Sequence, residues 1–263
     1  MTVLSKPSAP EATRGHPSAG PAIAVRGLTK RFADGPTVLD GIDLQVAHGE
    51  FVCLLGASGC GKSTLLNLVA GLDTPTTGSV ELGSGGAALM FQEPALFPWL
   101  TAAQNVELAL RLRGVRKAAR REEARELLAL VRLGGAADKR AHELSGGMRQ
   151  RVALARALAQ ERSVLLMDEP FAALDAITRD VLHDELVRVR REQGLTVLFV
   201  THNVREAVRL GDRVVLLSSR PGRVVQTYDV DVPEPRRIEA PEVAQLALTV
   251  TDALRTEIRR HGS

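Results

Sequence analysis

The sequence predicts an α/β fold built on a mainly parallel sheet, and three observations carry that prediction. A Gly-rich loop at 56–61 stands between an apolar run (51–55, FVCLL) and a helical pattern (62–70). Two more continuous apolar runs, VLLMD at 164–168 and TVLFV at 196–200, flank a helical stretch at about 176–193 and so form a β-α-β unit. Runs without polar alternation suit strands covered on both faces, as a parallel sheet with crossover helices requires. The third is bulk: 263 residues at 44% hydrophobic content bury a core without disulfide or metal staples.

The elements follow in order. Residues 1–20 are rich in Pro, Ser, Ala and Gly and lack the apolar centre of a signal peptide, which predicts a disordered tail over 1–21. Short alternating patterns at 23–25 and 42–46 read as strands, followed by 51–55, 80–82 and 88–91. A helical stretch occupies roughly 101–160, broken near Gly114, at Gly134 and Gly135, and before Ser145. After the β-α-β unit come strands at 213–217 and 223–230, joined by an Arg220-Pro221-Gly222 turn. A last helix starts at Pro241, a favoured first helical position, with an apolar stripe of Val243, Leu246, Val250, Leu254 and Ile258. Glu239 and Glu242 near its start and Arg259 and Arg260 at its end match the helix dipole.

Composition excludes several classes of function. Lys and Arg number 34 against 31 Asp and Glu, a net charge of only +3, with no basic block dense enough for a nucleic-acid face. The charged run at 111–125 is interrupted by Glu122 and Glu123 and reads as a solvated helical face. Cys53 and Cys60 have neither CxxC nor metal spacing, so no disulfide framework exists and a reducing compartment fits. No apolar run reaches the roughly 18 residues of a membrane span, so a membrane role needs a partner that supplies the spans.

Gly56-Ala57-Ser58-Gly59-Cys60-Gly61-Lys62-Ser63 matches the phosphate-loop pattern GxxxxGK[ST] and sits between strand and helix as that motif requires. Its glycines let backbone N–H groups converge on phosphate oxygens, the helix N-terminus adds positive potential, Lys62 neutralises phosphate charge and Ser63 offers a hydroxyl to Mg²⁺. The strand at 164–168 ends in Asp168 and Glu169, an acid to position the metal and an acid to polarise water. Ser145, Gly146 and Gly147 open the helix near 149–160 with a hydroxyl and free N–H groups, a second anion-binding geometry distant in sequence from the first.

LSGGMRQR at 144–151 followed by VLLMDEP at 164–170 resembles the signature and second nucleotide motif of ATP-binding cassette (ABC) ATPases. Gln92 is similar to the family's Gln loop, Asp175 in Ala173-Leu174-Asp175 to its D-loop, His202 to its switch histidine and Phe32 to the aromatic that stacks on adenine. The resemblance spans about 22–230. It implies a P-loop NTPase cassette: a RecA-like core with a mainly parallel sheet, an antiparallel β subdomain and an α-helical subdomain at about 93–160, within an ATPase domain at 22–232 and followed by a helical extension at 233–263.

For the site, the resemblance implies ATP on Phe32, Gly56, Ala57, Ser58, Gly59, Cys60, Gly61, Lys62, Ser63 and Thr64, and Mg²⁺ on Ser63, Gln92 and Asp168. It gives catalytic work to Glu169, His202, Lys62 and Gln92, and has Ser145, Gly146, Gly147 and Met148 contact the ATP of a second copy in a head-to-tail dimer. FQEPALFPWLTAAQNV and the Arg-Pro-Gly turn further resemble the nitrate, sulfonate and taurine importer group, although the segment from Gly78 to Gln92 is shorter than in that group, with 83–86 as a bridge. That implies a peripheral subunit on the cytoplasmic face of the cell membrane. A permease would dock near Leu96 to Leu100, a solute-binding protein would act indirectly, and nucleic acid would play no part. A soluble ABC clamp on nucleic acid or ribosome is the alternative, disfavoured by the lack of a long coiled coil or a second cassette; a phosphate-loop kinase would lack the signature. Cys60, inside the loop, is expected to be a thiol whose alkylation blocks ATP and which MgATP protects.

Overall fold

A computed structural model describes residues 20–33 and 35–261. Most of the expected N-terminal tail therefore lies outside the described residues. Among the described residues, nine strands form two sheets. β1 (Ile23–Arg31), β2 (Thr37–Val46) and β4 (Thr77–Leu82) make an antiparallel sheet in the order β2-β1-β4. The second sheet contains β3 (Phe51–Leu55), β5 (Ala87–Met90), β6 (Val164–Asp168), β7 (Thr196–Thr201), β8 (Arg213–Leu217) and β9 (Val224–Asp229). Its order is β5-β6-β7-β3-β8-β9, parallel throughout except for the edge strand β9.

Every residue of β3 is buried, and alternation along it divides the core. Phe51, Cys53 and Leu55 face the helices, whereas Val52 and Leu54 face the antiparallel sheet and α1 (Lys62–Val69). The helical stretch expected at 101–160 resolves into α2 (Ala102–Leu112), α3 (Lys117–Leu130) and α4 (Gly146–Leu158), with breaks where the glycines predict them. Thr101 caps α2 in a reciprocal box with Gln104. α5 (Ala176–Gln193) ends on Gly194 in the left-handed conformation, where glycine carries no Cβ penalty.

Several elements differ from expectation: β1 runs on to Arg31 past the 23–25 pattern, with Gly27 at φ 52° interrupting the alternation, and β4 starts at Thr77, before the 80–82 run. β2 starts at Thr37, five residues before the alternating pattern, because Gly41 at φ 62° interrupts the pattern without ending the pairing to β1. α6 (Val204–Leu210) is too short to show a helical period. The shortened segment is a four-residue bridge between β4 and β5. Gly83 N donates to Ala22 O (2.9 Å) and Gly86 N to Gly83 O (3.2 Å), and Gly85 lies so close to Ser163 that any side chain there would collide.

α7 (Pro241–His261) lays Val243, Ala247 and Val250 into the same buried cluster as Ala207 and Val208 of α6. Val250→Ala is expected to cost about 2 kcal/mol in urea denaturation, from lost burial plus a residual cavity. Leu248, 59% exposed on the opposite face, is expected to cost under about 0.5 kcal/mol when replaced by Ala. Equal effects at the two positions would mean that α7 does not hold this packed orientation.

Candidate functional site

The strand order brings the C-terminal ends of β6, β7 and β3 side by side, where open parallel sheets bind ligands. Each strand delivers one part of the site. β3 runs into Gly56, and the loop turns on Gly59 (φ 76°) and Gly61 (φ 104°), conformations that glycine adopts freely. Gly61 caps α1 without any side-chain hydrogen bond, which leaves the first N–H groups of the helix available to an anion. Ala57 is half-buried, Ser58, Gly59 and Ser63 are exposed, and Thr64 is half-buried at the start of the helix. Lys62 is buried, and its Nζ donates to the carbonyls of Gly56 (2.9 Å) and Ala57 (3.0 Å).

β6 ends on Asp168, level in register with Val200 of β7. Burial pushes the Asp168 carboxyl above its ordinary value; the Ser63 hydroxyl bonded to it opposes this, Glu169 adds to it, and Lys62 lowers it. A hydroxyl and a carboxylate together are hard oxygen donors of the type Mg²⁺ takes, so these residues fit the ion. Glu169 has φ 43°, a left-handed backbone rare outside glycine, and its N–H donates to Val200 O at 3.0 Å. That turn aims its side chain at His202, whose Nδ1 lies 2.8 Å from Glu169 Oε2.

His202 stands on a short loop that is itself held. Asn203 caps α6 by accepting from Arg205 N (3.0 Å) and Glu206 N (3.3 Å), and Asn203 N donates to Thr201 Oγ1 at 3.0 Å. Thr201 in turn donates to Glu206, which also meets the buried His183 of α5 at 2.7 Å. Sequence reasoning missed this support. The Asn-x-x-Glu spacing from Asn203 to Glu206 was the available signal for a helix start.

The remaining candidates lie further out. Gln92 is exposed, and its backbone carbonyl accepts from the buried Gln150 of α4 at 3.0 Å. Arg156 of α4 donates to Pro94 O (2.7 Å) and Ala95 O (2.8 Å), and its desolvation holds its pKa below the ordinary value. Among the described residues, no hydrogen bond joins the Gln92 side chain to Ser63 or Asp168. Ser145 caps α4, accepting from Met148 N at 3.3 Å. A Cβ on Gly147 would meet Thr178 Cγ2 at 2.5 Å and one on Gly146 would meet Leu174 Cδ2 at 3.4 Å, so the signature packs against the D-loop segment. Asp175 caps α5, accepting from Thr178 N at 2.9 Å, and that bond lowers its pKa.

Phe32 is 49% exposed, with Lys30 Nζ 4.7 Å from its ring centre; Lys30 also donates to Asp73 Oδ1 at 2.7 Å. Phe97 and Trp99 form an exposed tilted pair with ring centres 5.5 Å apart, and the buried Asn105 accepts from Phe97 N at 2.8 Å. Cys60 is 1% exposed, and burial pushes its thiol pKa up against the opposing influence of Lys62.

The ABC transporter family matches residues 39–172, a stretch that contains the phosphate loop, Gln92, the signature and Asp168. The chain is 53% identical over 195 residues to a taurine import ATP-binding protein of Mesorhizobium japonicum, covering 72% of this chain and 76% of that protein. It is 46% identical over 267 residues to an aliphatic sulfonates import ATP-binding protein of Agrobacterium fabrum, covering 97% and 95% respectively. A dimeric ATP-binding cassette solved in a post-hydrolysis state with ADP and Pi superimposes with a TM-score of 0.69 at 33% identity, over 80% of this chain and all of that one. No helix among the described residues is long and apolar enough to cross a membrane. The chain belongs to the ABC transporter family, as one of its ATP-binding, ATP-hydrolysing cassettes.

Proposed function

We propose that this chain energises the import of a small anionic solute, of the sulfonate, taurine or nitrate kind, through a separate membrane permease. It would work as a head-to-tail dimer at the cytoplasmic face of the cell membrane, with a solute-binding protein feeding the permease. The observation that carries the hydrolytic part is the 2.8 Å contact between Glu169 and His202 beside the phosphate loop. The solute class follows the taurine and sulfonate importers that the chain is similar to.

Gly56 to Thr64 receive the phosphates, and Lys62 exchanges its Gly56 and Ala57 carbonyls for phosphate oxygens. Ser63, Asp168 and Gln92 hold Mg²⁺, which supplies charge neutralisation to the phosphate oxygens when bound. Glu169 takes the proton of the attacking water. His202 holds Glu169 through Nδ1 and leaves Nε2 for the γ-phosphate. Phe32 offers adenine the ring face that Lys30 does not cover. Ser145, Gly146, Gly147 and Met148 close on the ATP of the second copy, with Asp175 beside them in the same interface.

The exposed Phe97 and Trp99 suit an apolar insertion from the permease. Gln150 and Arg156 tie the 92–95 loop to α4, so movement there reaches the signature at the start of the same helix.

Glu169→Gln is expected to retain ATP binding and ATP-dependent dimerisation by size-exclusion chromatography, while phosphate release falls at least about 100-fold. Near-native turnover would remove Glu169 as the base. The Phe97→Ala, Trp99→Ala double variant is expected to keep the ATPase activity of the isolated chain yet leave the membrane pellet of the native host; persistence in the pellet would place the permease contact elsewhere. Iodoacetamide should label Cys60 at least about ten times more slowly than a free exposed thiol, and MgATP should slow it further. Rapid labelling, indifferent to nucleotide, would mean that the loop opens far more than its packing implies.

A further inference from the structure

The 220–223 turn joins β8 to β9 and takes no part in the mechanism above, yet it touches both the phosphate loop and the start of β2. It is closed from within. Ser218 Oγ donates to Pro221 O at 2.7 Å and accepts from Arg223 N at 2.9 Å, while Ser218 N donates to Arg223 O at 2.9 Å.

On one side the turn meets the phosphate loop. Arg220 Nε donates to Gly59 O at 3.0 Å, and Gly222 lies so close to Cys60 O that any side chain there would collide. On the other side it meets the start of β2. Gly222 N donates to Val38 O (2.8 Å), Asp40 N donates to Gly222 O (3.0 Å), and Arg223 Nε donates to Asp40 Oδ2 (3.0 Å). β2 and the loop also touch directly, since a Cβ on Gly61 would meet Leu39 Cδ2 at 2.6 Å.

These contacts have a directional consequence. A trans peptide is planar, so a carbonyl pointing one way sends the following N–H the other way. The Gly59 and Cys60 carbonyls both point at the turn, so the N–H groups of Cys60 and Gly61 are aimed away from it. Lys62 holds the loop's Gly56 and Ala57 carbonyls, but at Gly59 and Cys60 the loop supplies little of this order itself. Its internal Cys60 N to Ala57 O bond is 3.3 Å long, Ser58 and Gly59 are exposed, and its two left-handed glycines are conformationally permissive. The terminal nitrogens of Arg220 make no hydrogen bond among the described residues, so its positive charge stands beside a polyphosphate site.

We propose that the 220–223 turn is a positioning element for nucleotide binding. Arg220 and Gly222 set the phosphate loop from behind and lock it to the first residues of β2. This rests on the reading of the loop as the ATP site.

Titration of the full-length chain with mant-ATP, steady-state ATPase kinetics and nucleotide-free thermal melting test it together. Arg220→Ala is expected to weaken mant-ATP binding about tenfold and raise KM to match, about 1.4 kcal/mol. Its kcat should stay within about twofold and its nucleotide-free melting temperature should be unchanged. Arg220→Lys, which keeps a charged donor, should recover most of the affinity, and Gly222→Ala should lose more than Arg220→Ala. Native affinity in Arg220→Ala overturns the proposal. So does a loss of affinity matched by a fall in the nucleotide-free melting temperature, because a general folding defect then accounts for it. Lys62→Ala separates the two readings. If it binds mant-ATP normally, the ATP-site reading fails and takes this proposal with it; if it loses binding while Arg220→Ala does not, only the positioning role fails.

Discussion

The site depends on one constraint, that β6, β7 and β3 are neighbours and end together. Parallel register places Asp168 opposite Val200 and Leu55 opposite Thr201, so Asp168, His202 and the phosphate loop leave the sheet within one or two residues of a common edge. Nothing local could bring together residues more than a hundred positions apart. The burial of all five residues of β3, with aromatic and aliphatic side chains filling both faces, sets that edge. A register shift of one residue in β3 would exchange its two faces and move the loop away from Asp168.

Strain and support concentrate at that edge. Glu169 adopts a left-handed backbone that costs free energy for any residue with a Cβ, and it is retained where the side chain must turn back toward His202. His202 is aimed through a chain of partners, Asn203, Thr201, Glu206 and His183, the last of them buried on α5. α5 is capped by Asp175, so the helix that supports the histidine from below also starts at the segment against which Gly146 and Gly147 pack. The geometry of one side chain thus depends on β7 and α6, its neighbours in sequence, and on α5, which precedes β7 in the chain.

The sequence made contiguous chemistry legible and left assembled chemistry hidden. The phosphate loop was readable because eight adjacent residues carry both its shape and its charge. β6 and β7 were readable because a doubly covered strand has no polar residue to break the run. Separate roles for Glu169 and His202 came only through resemblance to a family, and their contact with each other was not foreseen, since no local pattern links positions 33 apart. α6 was missed because seven residues hold less than two full helical periods. The burial of Cys60 was not legible in the sequence, because Gly56 packs against its sulfur and Gly222 against its carbonyl. Both partners are glycines, which carry no side chain to advertise a contact.

The mild basic excess has an explanation in the same terms. Arginines staple loops to elements by donating to backbone carbonyls: Arg149 to Leu144, Arg156 to Pro94 and Ala95, Arg179 to Leu174, Arg190 to Gly49 and Arg220 to Gly59. A guanidinium suits this work because its donors form a rigid planar fork and it is less strongly hydrated than an ammonium. Four of these staples end on the phosphate loop, Gln loop, signature or D-loop segments, and the fifth, from Arg190, ends on the turn between β2 and β3. Part of the positive charge is thus used inside the molecule, where an arginine satisfies carbonyls that an irregular loop cannot pair for itself.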